Sequence, residues 1–166
     1  MRRLAAFACL ACLAAPAAAK DSLGMFSDWG AFRDPAVPRC YAIAMAQPAS
    51  RARERAREYQ PFASIGSWPR QQLRNQLHLR LSRKTSPAGT IILRIGRESF
   101  ELTGGGGNAW AQDRRMDAAI VASMRSAGSM SVTARDTNGR SFTDSYSLAG
   151  AATAMDAATV GCAKLR

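Results

Sequence analysis

The stretch QLHLRLSR, residues 76–83, decides the fold class of this chain. Leu77, Leu79 and Leu81 alternate with polar residues, so they fall on one face of an extended strand. A strand with one apolar and one polar face is typical of an antiparallel sheet that is buried on one side. The stretch therefore predicts a half-buried antiparallel strand in the middle of the chain.

Further strand patterns lie on both sides of this stretch. Downstream are TIILRIG (90–96) and SFELTG (99–104), with a tight turn predicted at Arg97-Glu98, and then SMSVTARD (129–136) and RSFTDSYSL (140–148). The last two flank Asn138-Gly139, a strong hairpin signal. Upstream, RCYAIAMA (39–46) and FASIGSW (62–68) are interpreted as strands, and MFSDWGAF (25–32) as the first strand.

Two segments have helical periodicity instead. DRRMDAAIVASMRSAG (113–128) has Asp113 as the expected N-cap and Gly128 as the stop, and AATAMDAATVGC (151–162) is alanine-rich. Many short strands with two short helices predict a mainly β (α+β) fold, an antiparallel β-sandwich or curled sheet with helices added. The charged insertion PASRARERAREY (48–59) is interpreted as a helical or mobile solvated loop.

The first 19 residues are interpreted as a secretory signal peptide. Arg2 and Arg3 precede an apolar run, and Ala17–Ala19 supplies a small-residue cleavage site. Cleavage there leaves residues 20–166 as a single exported domain. Lipidation at Cys12 is the less favoured alternative.

Two cysteines remain after this cleavage, Cys40 and Cys162. In an oxidising periplasm two such cysteines are expected to form a disulfide, which would tie the C-terminal segment to an N-terminal strand. Two unpaired buried thiols are the alternative. No metal site is expected, because two cysteines and the single histidine, His78, do not complete a tetrahedral site.

The formal net charge of +11 comes almost entirely from arginine. An exported protein does not meet nucleic acid, so the expected partners are anionic envelope or surface components such as lipid phosphates, lipopolysaccharide and host-surface polymers. The favoured interpretation of the charge itself is nevertheless solubility together with an arginine-rich genome. The candidate anion-binding residues are Arg51, Arg53, Arg55 and Arg57 on the insertion, Arg80 and Arg83 at a strand end, and Arg114 and Arg115 at a helix start after four glycines.

Catalytic motifs are not found in the sequence. His78 lies on the polar face of its strand without a recognisable nucleophile or orienting acid, so no catalytic residue and no cofactor are predicted. Trp29, Trp68 and Trp110 could form a carbohydrate-stacking set, but each borders an apolar strand, and core positions are the favoured interpretation.

Several stretches together resemble the invasion-associated locus B family of Gram-negative bacteria. These are FSDWGAF with Asp28-Trp29, RCYAIA with Arg39-Cys40, DAAIVASMRSAGSMSVTARDTNGR, and SYSLAGAATAMDAA. The chain lacks the middle cysteine pair that members often carry and has GGGGNAWAQ there, which indicates a divergent branch.

The resemblance implies a small periplasmic or envelope-associated β-rich protein without established enzymatic activity. For some members it implies a part in host-cell entry. We therefore expect a non-catalytic binding or accessory factor in the periplasm, with outer-membrane association as an option. The alternative is an inhibitor or accessory subunit of an envelope enzyme that acts through a protein interface.

Overall fold

A computed structural model describes residues 20–86 and 89–163. The predicted signal peptide, residues 1–19, lies outside the described residues. The described residues form ten strands and three α-helices. The strands are β1 Asp21–Phe26, β2 Trp29–Asp34, β3 Arg39–Met45, β4 Phe62–Trp68, β5 Leu73–Arg80, β6 Ile91–Ile95, β7 Glu98–Gly105, β8 Asn108–Trp110, β9 Ser129–Arg135 and β10 Ser141–Ser147. The helices are α1 Arg51–Arg55, α2 Arg114–Ser126 and α3 Ala151–Cys162.

All ten strands belong to one antiparallel sheet in the order β1-β2-β3-β4-β5-β8-β7-β6-β9-β10. The chain adds strands in sequence up to β5, and the next three then enter in reverse, so that β8 pairs with β5 and β6 with β9. The prediction of a mainly β, antiparallel fold with added helices is confirmed. The short helix α1, within the charged insertion, is added to the two helices expected.

The sheet curls until its last strand meets the chain that follows β3. The backbone N–H of Gln47 donates to the carbonyl of Ser145 at 2.7 Å, and the Trp29 indole donates to the carbonyl of Ser147 at 2.9 Å. We call this junction the seam, formed by β10, residues 46–57 and residues 82–83. These two hydrogen bonds use carbonyl groups at the edge of β10 that would otherwise face water.

The apolar core lies on the inner face of the curled sheet. Leu77, Leu79 and Leu81 are fully buried, as their alternation predicts. Helix α2 packs on β5, and α3 packs on β1, β2 and β3. Asp117 of α2 is buried and accepts the Leu77 N–H at 2.8 Å, beyond the point where the pairing with β8 ends.

Cys40 in β3 and Cys162 at the end of α3 are joined by a disulfide, with 5.6 Å between their Cα atoms. The bond connects residues separated by 122 positions. It links the C-terminal helix to the strand against which that helix packs. This is the pairing expected from the sequence.

Two local predictions were wrong. The single first strand is a hairpin, β1–β2, whose turn places Ser27 at a φ of 50° in the left-handed region. The β6–β7 turn lies at Gly96-Arg97 rather than Arg97-Glu98, because Ile95 pairs with Glu98. Gly96 has a φ of 57°, which glycine adopts without the cost that a Cβ would add.

The tryptophans occupy three different environments. Trp29 is fully buried, as predicted, and Trp68 is partly buried. Trp110 is 37% exposed, so its assignment to the core was wrong: in β8 it lies on the face opposite the buried Ala109. No helix among residues 20–86 and 89–163 is both long enough and apolar enough to cross a membrane.

Candidate anion-binding pocket

A pocket of about 340 Å³ opens at the seam. Its walls come from both sides of the junction, because the insertion supplies one wall and β10 the other. The lining residues are Ala49, Arg53, Arg57, Ser82, Arg83, Ser141, Phe142, Thr143 and Asp144. Three of the eight candidate arginines thus meet in one concave site.

Two of these arginines are held in place by neighbouring acceptors. Arg57 lies 2.7 Å from the Glu54 carboxylate and donates to the Gln47 carbonyl at 3.0 Å. Arg83 donates to Asp136 at 3.0 Å. Their side chains are only 12% and 14% exposed, so both guanidinium groups are fixed before any ligand arrives. Fixed donors lose less entropy on binding than mobile ones.

Arg53 differs from these two arginines. It is exposed on α1, and within the described part of the chain it takes part in no salt bridge. Its guanidinium therefore remains able to pair with an external anion. A planar guanidinium group matches carboxylate and phosphate oxygens in bidentate geometry.

Asp144 is a buried acid in the wall of the pocket, with only 2% of its surface exposed. It accepts the Ser82 N–H at 2.8 Å. Burial raises the pKa of Asp144, while the hydrogen bonds from Ser82 and the nearby charges of Arg57 and Arg83 oppose that rise. A protonated Asp144 would add no negative charge to the site.

Asp136 anchors the far side of the pocket through Arg83. Burial alone would raise the pKa of its carboxyl, but hydrogen bonds from the Arg140 N–H, from Arg83 and from the Asn138 N–H lower it overall. Asp136 therefore stays ionised and fixes Arg83 by charge as well as by geometry. Glu54 forms the corresponding salt bridge with Arg57.

The other candidate arginines lie elsewhere. Arg51 and Arg55 are exposed on α1 and do not line the pocket, and Arg80 packs its guanidinium 3.6 Å from the centre of the Tyr59 ring. Arg114 and Arg115 are exposed in the first turn of α2. At that helix start Asp113 is the N-cap as predicted, and its side chain accepts the Met116 N–H. The expected anion position is thus partly filled by a carboxylate of the chain itself.

Sequence reasoning missed Asp144 and Ser82 as parts of this site. A signal was present, because Asp144 lies two residues from Phe142 and two from Tyr146, in phase with the buried face of β10. An acid at an apolar position of an alternating strand needs a polar partner in the interior. The partner, residue 82, could not be inferred, since it is 62 positions away.

His78 lies among aromatic and amide side chains. Its Nε2 lies 3.1 Å from Asn108 Oδ1, and its ring stacks on Trp110 and meets the edge of Phe62. Among the described residues, no serine, cysteine or aspartate forms a hydrogen bond with it, and no group of three or more His, Cys, Asp or Glu residues could hold a metal ion.

Comparisons with protein-family models, with curated proteins and with solved structures find no match for this chain. The likeness to the invasion-associated locus B family thus rests on the sequence motifs quoted above. The function is argued below from the geometry of the pocket.

Proposed function

We propose that the protein is an exported, non-catalytic binding or accessory factor of the invasion-associated locus B type. In this proposal the signal peptide is removed after Ala19 and the mature chain acts in the periplasm or at the envelope. Its pocket at the seam binds phosphate or carboxylate groups of an anionic envelope component.

The observation that carries the proposal is the convergence of Arg53, Arg57 and Arg83 in one pocket. Arginine side chains that served only solubility would have no reason to meet in a concavity. Two of the three are largely shielded from water, where electrostatic interactions are stronger than at an open surface. The third is exposed and extends from α1 at the pocket.

The strength expected of such a site is modest. Each basic residue near an anionic membrane contributes about 1 kcal/mol, and the contribution falls off within a Debye length of about 8–10 Å. Glu54 and Asp136 already neutralise part of the charge of Arg57 and Arg83. Attachment should therefore be weak, reversible and sensitive to salt.

The experiment is co-sedimentation of the mature protein, residues 20–166, with two kinds of vesicle. One is phosphatidylcholine alone, and the other contains about one third phosphatidylglycerol. We expect binding to the anionic vesicles at low salt that fades at physiological salt. Arg53→Glu should weaken binding clearly more than Arg51→Glu. Both substitutions make the same change of charge on α1, but only Arg53 lines the pocket.

Three results would overturn the proposal. Equal effects of the two substitutions would mean that a diffuse positive surface binds the vesicles. Binding that is independent of salt, or absent at low salt, would exclude an electrostatic role. In that case the alternative, an inhibitor or accessory subunit that acts through a protein interface, would take its place.

A further inference from the structure

An aromatic cluster lies on the outer face of the sheet, opposite the buried leucines. The rings of His78 and Trp110 are stacked with centroids 5.2 Å apart and planes 12° apart. Phe62 meets the His78 ring edge-on at 5.4 Å. These residues come from three adjacent strands, β4, β5 and β8. Their neighbours in sequence, such as Leu79 and Ala109, lie on the opposite, inner face and are fully buried.

The cluster also carries hydrogen-bonding groups. Asn108 approaches His78 through its side-chain oxygen and stands opposite Arg80 in the register of β5 and β8. The guanidinium carbon of Arg80 in turn lies over the ring of Tyr59, 3.6 Å from its centroid. The surface therefore offers an exposed indole bordered by an amide, an imidazole and a guanidinium group. We call these six residues, Tyr59, Phe62, His78, Arg80, Asn108 and Trp110, the aromatic platform.

The platform and the arginine pocket meet at the end of β5. His78 and Arg80 lie on one face of β5, which ends at Arg80, and Ser82 follows two residues later as a buried residue outside the strand. The carbonyl of Ser82 accepts the N–H groups of Glu58 and Tyr59 at 2.8 and 3.2 Å. Ser82 itself lines the pocket, so the segment that carries Tyr59 borders both.

We propose that the platform and the pocket together bind an anionic glycan, an inference that rests on the proposed function and names its ligand class. A pyranose ring has one face of C–H groups, which packs on an exposed indole, and hydroxyl groups at its rim, which bond to amide, imidazole and guanidinium groups. The carboxylate or phosphate of a neighbouring residue then reaches the guanidinium groups of Arg53, Arg57 and Arg83.

The positive charge around the platform favours an anionic glycan over a neutral one. Arg80 on the platform and three arginines in the pocket lie along the path, and the whole chain has a formal charge of +11. Single-stranded nucleic acid also stacks on aromatic rings and pairs with arginine. It is tested as a competing outcome below.

The test is calorimetric titration of the full mature protein with five probes. Two are anionic glycans, a hyaluronan hexasaccharide and a phosphorylated core oligosaccharide from lipopolysaccharide, which separate a uronate source from a phosphate source. The others are maltohexaose, inorganic phosphate and oligothymidylate. We expect one of the anionic glycans to bind more tightly than maltohexaose, phosphate and oligothymidylate.

Variants then separate the two proposals. Trp110→Ala should weaken glycan binding about threefold to tenfold and leave binding of phosphate or anionic vesicles unchanged, and Trp110→Phe should restore most of the loss. Arg53→Glu should weaken both. Should Trp110→Ala fold poorly, the His78 ring resonances of the unaltered protein should shift on addition of the glycan and not of phosphate.

The glycan inference would be rejected if Trp110→Ala left glycan binding unchanged, or if the His78 resonances did not shift. If the protein still bound anionic vesicles in that case, the proposal of an anion-binding pocket would remain. If maltohexaose bound as tightly as the anionic glycans, the negative charge of the ligand would have no role in binding. Tighter binding of oligothymidylate would assign the platform to nucleic acid. Loss of all binding to phosphate, vesicles and glycans would reject both proposals.

Discussion

The disulfide between Cys40 and Cys162 should supply a large part of the stability of this fold. It closes a loop whose ends are 122 positions apart. For such a loop the chain-entropy relation gives a loss of about 16 cal/mol/K in the unfolded chain, or about 5 kcal/mol at 25 °C. Typical domains are stable by about 5–15 kcal/mol, so reduction should remove a third or more of the total.

The measurement is equilibrium unfolding in urea, followed by tryptophan fluorescence, to which the fully buried Trp29 contributes. Oxidised and reduced protein have the same side-chain volume, so their difference isolates the cross-link. The Cys40→Ala/Cys162→Ala variant should lose at least as much stability as reduction, since it also removes two buried sulfur atoms. The dependence of the free energy of unfolding on urea should steepen in both, because the unlinked chain exposes more surface.

A loss below about 2 kcal/mol on reduction would refute this reasoning. It would mean that the unfolded chain is already compact enough to keep these two residues close, so that the bond removes less entropy from it than the relation assumes.

Three further predictions concern single residues. Asp144→Asn should flatten the dependence of stability on pH above the ordinary aspartate pKa of about 4. Because burial raises the pKa of Asp144, its contribution to stability is complete below the ordinary pKa and is lost as pH rises through the higher pKa of the folded state. Parallel profiles of the urea midpoint against pH for the two proteins would contradict this. Asp117→Ala should cost about 1–3 kcal/mol because it leaves the buried Leu77 N–H without an acceptor, whereas Asp117→Asn, which keeps an oxygen, should cost less in the same urea assay. Gly104→Ala should lower the free energy of unfolding by about 1–3 kcal/mol, because a Cβ there would meet the backbone of β8. Gly106→Ala should lower it by only about 1 kcal/mol, because Gly106 has open space around it and its φ of 60° is the only source of strain. Equal melting temperatures of the two variants would exclude the clash.

Much of the fold could be predicted because its signals are local. The alternation of Leu77, Leu79 and Leu81 depends on the two-residue repeat of a strand, and the cap at Asp113 depends on one side chain and a nearby N–H. The β1–β2 hairpin was not predicted, and the reason is also local. Its turn uses Ser27 at a positive φ rather than glycine or asparagine, so the usual signal is absent from the sequence.

The candidate site could be predicted only in part, since it depends on the curl of the sheet. The insertion and the strand end that supply Arg53, Arg57 and Arg83 were recognised as basic, but their meeting with β10 is a long-range event. The contact of Ser82 with Asp144 links positions 62 apart. Trp110 shows the same limit: its neighbours in sequence are apolar or small, and only the strand order places it on the outer face.

The seam borders part of the buried charge of this fold. Its Arg83 forms a largely buried pair with Asp136, and Asp144 lies buried beside Arg57. Burying charged groups costs more than packing apolar side chains of similar volume, so a junction that served stability alone would be better closed by aliphatic residues. The buried charges are explained if the guanidinium groups also bind an anion. A bound anion balances positive charge in the pocket, so we expect the protein to be more stable with phosphate than without it. A thermal-shift titration with sodium phosphate against sodium chloride at equal ionic strength measures this, and an identical midpoint in both salts would leave the buried charges without a functional explanation.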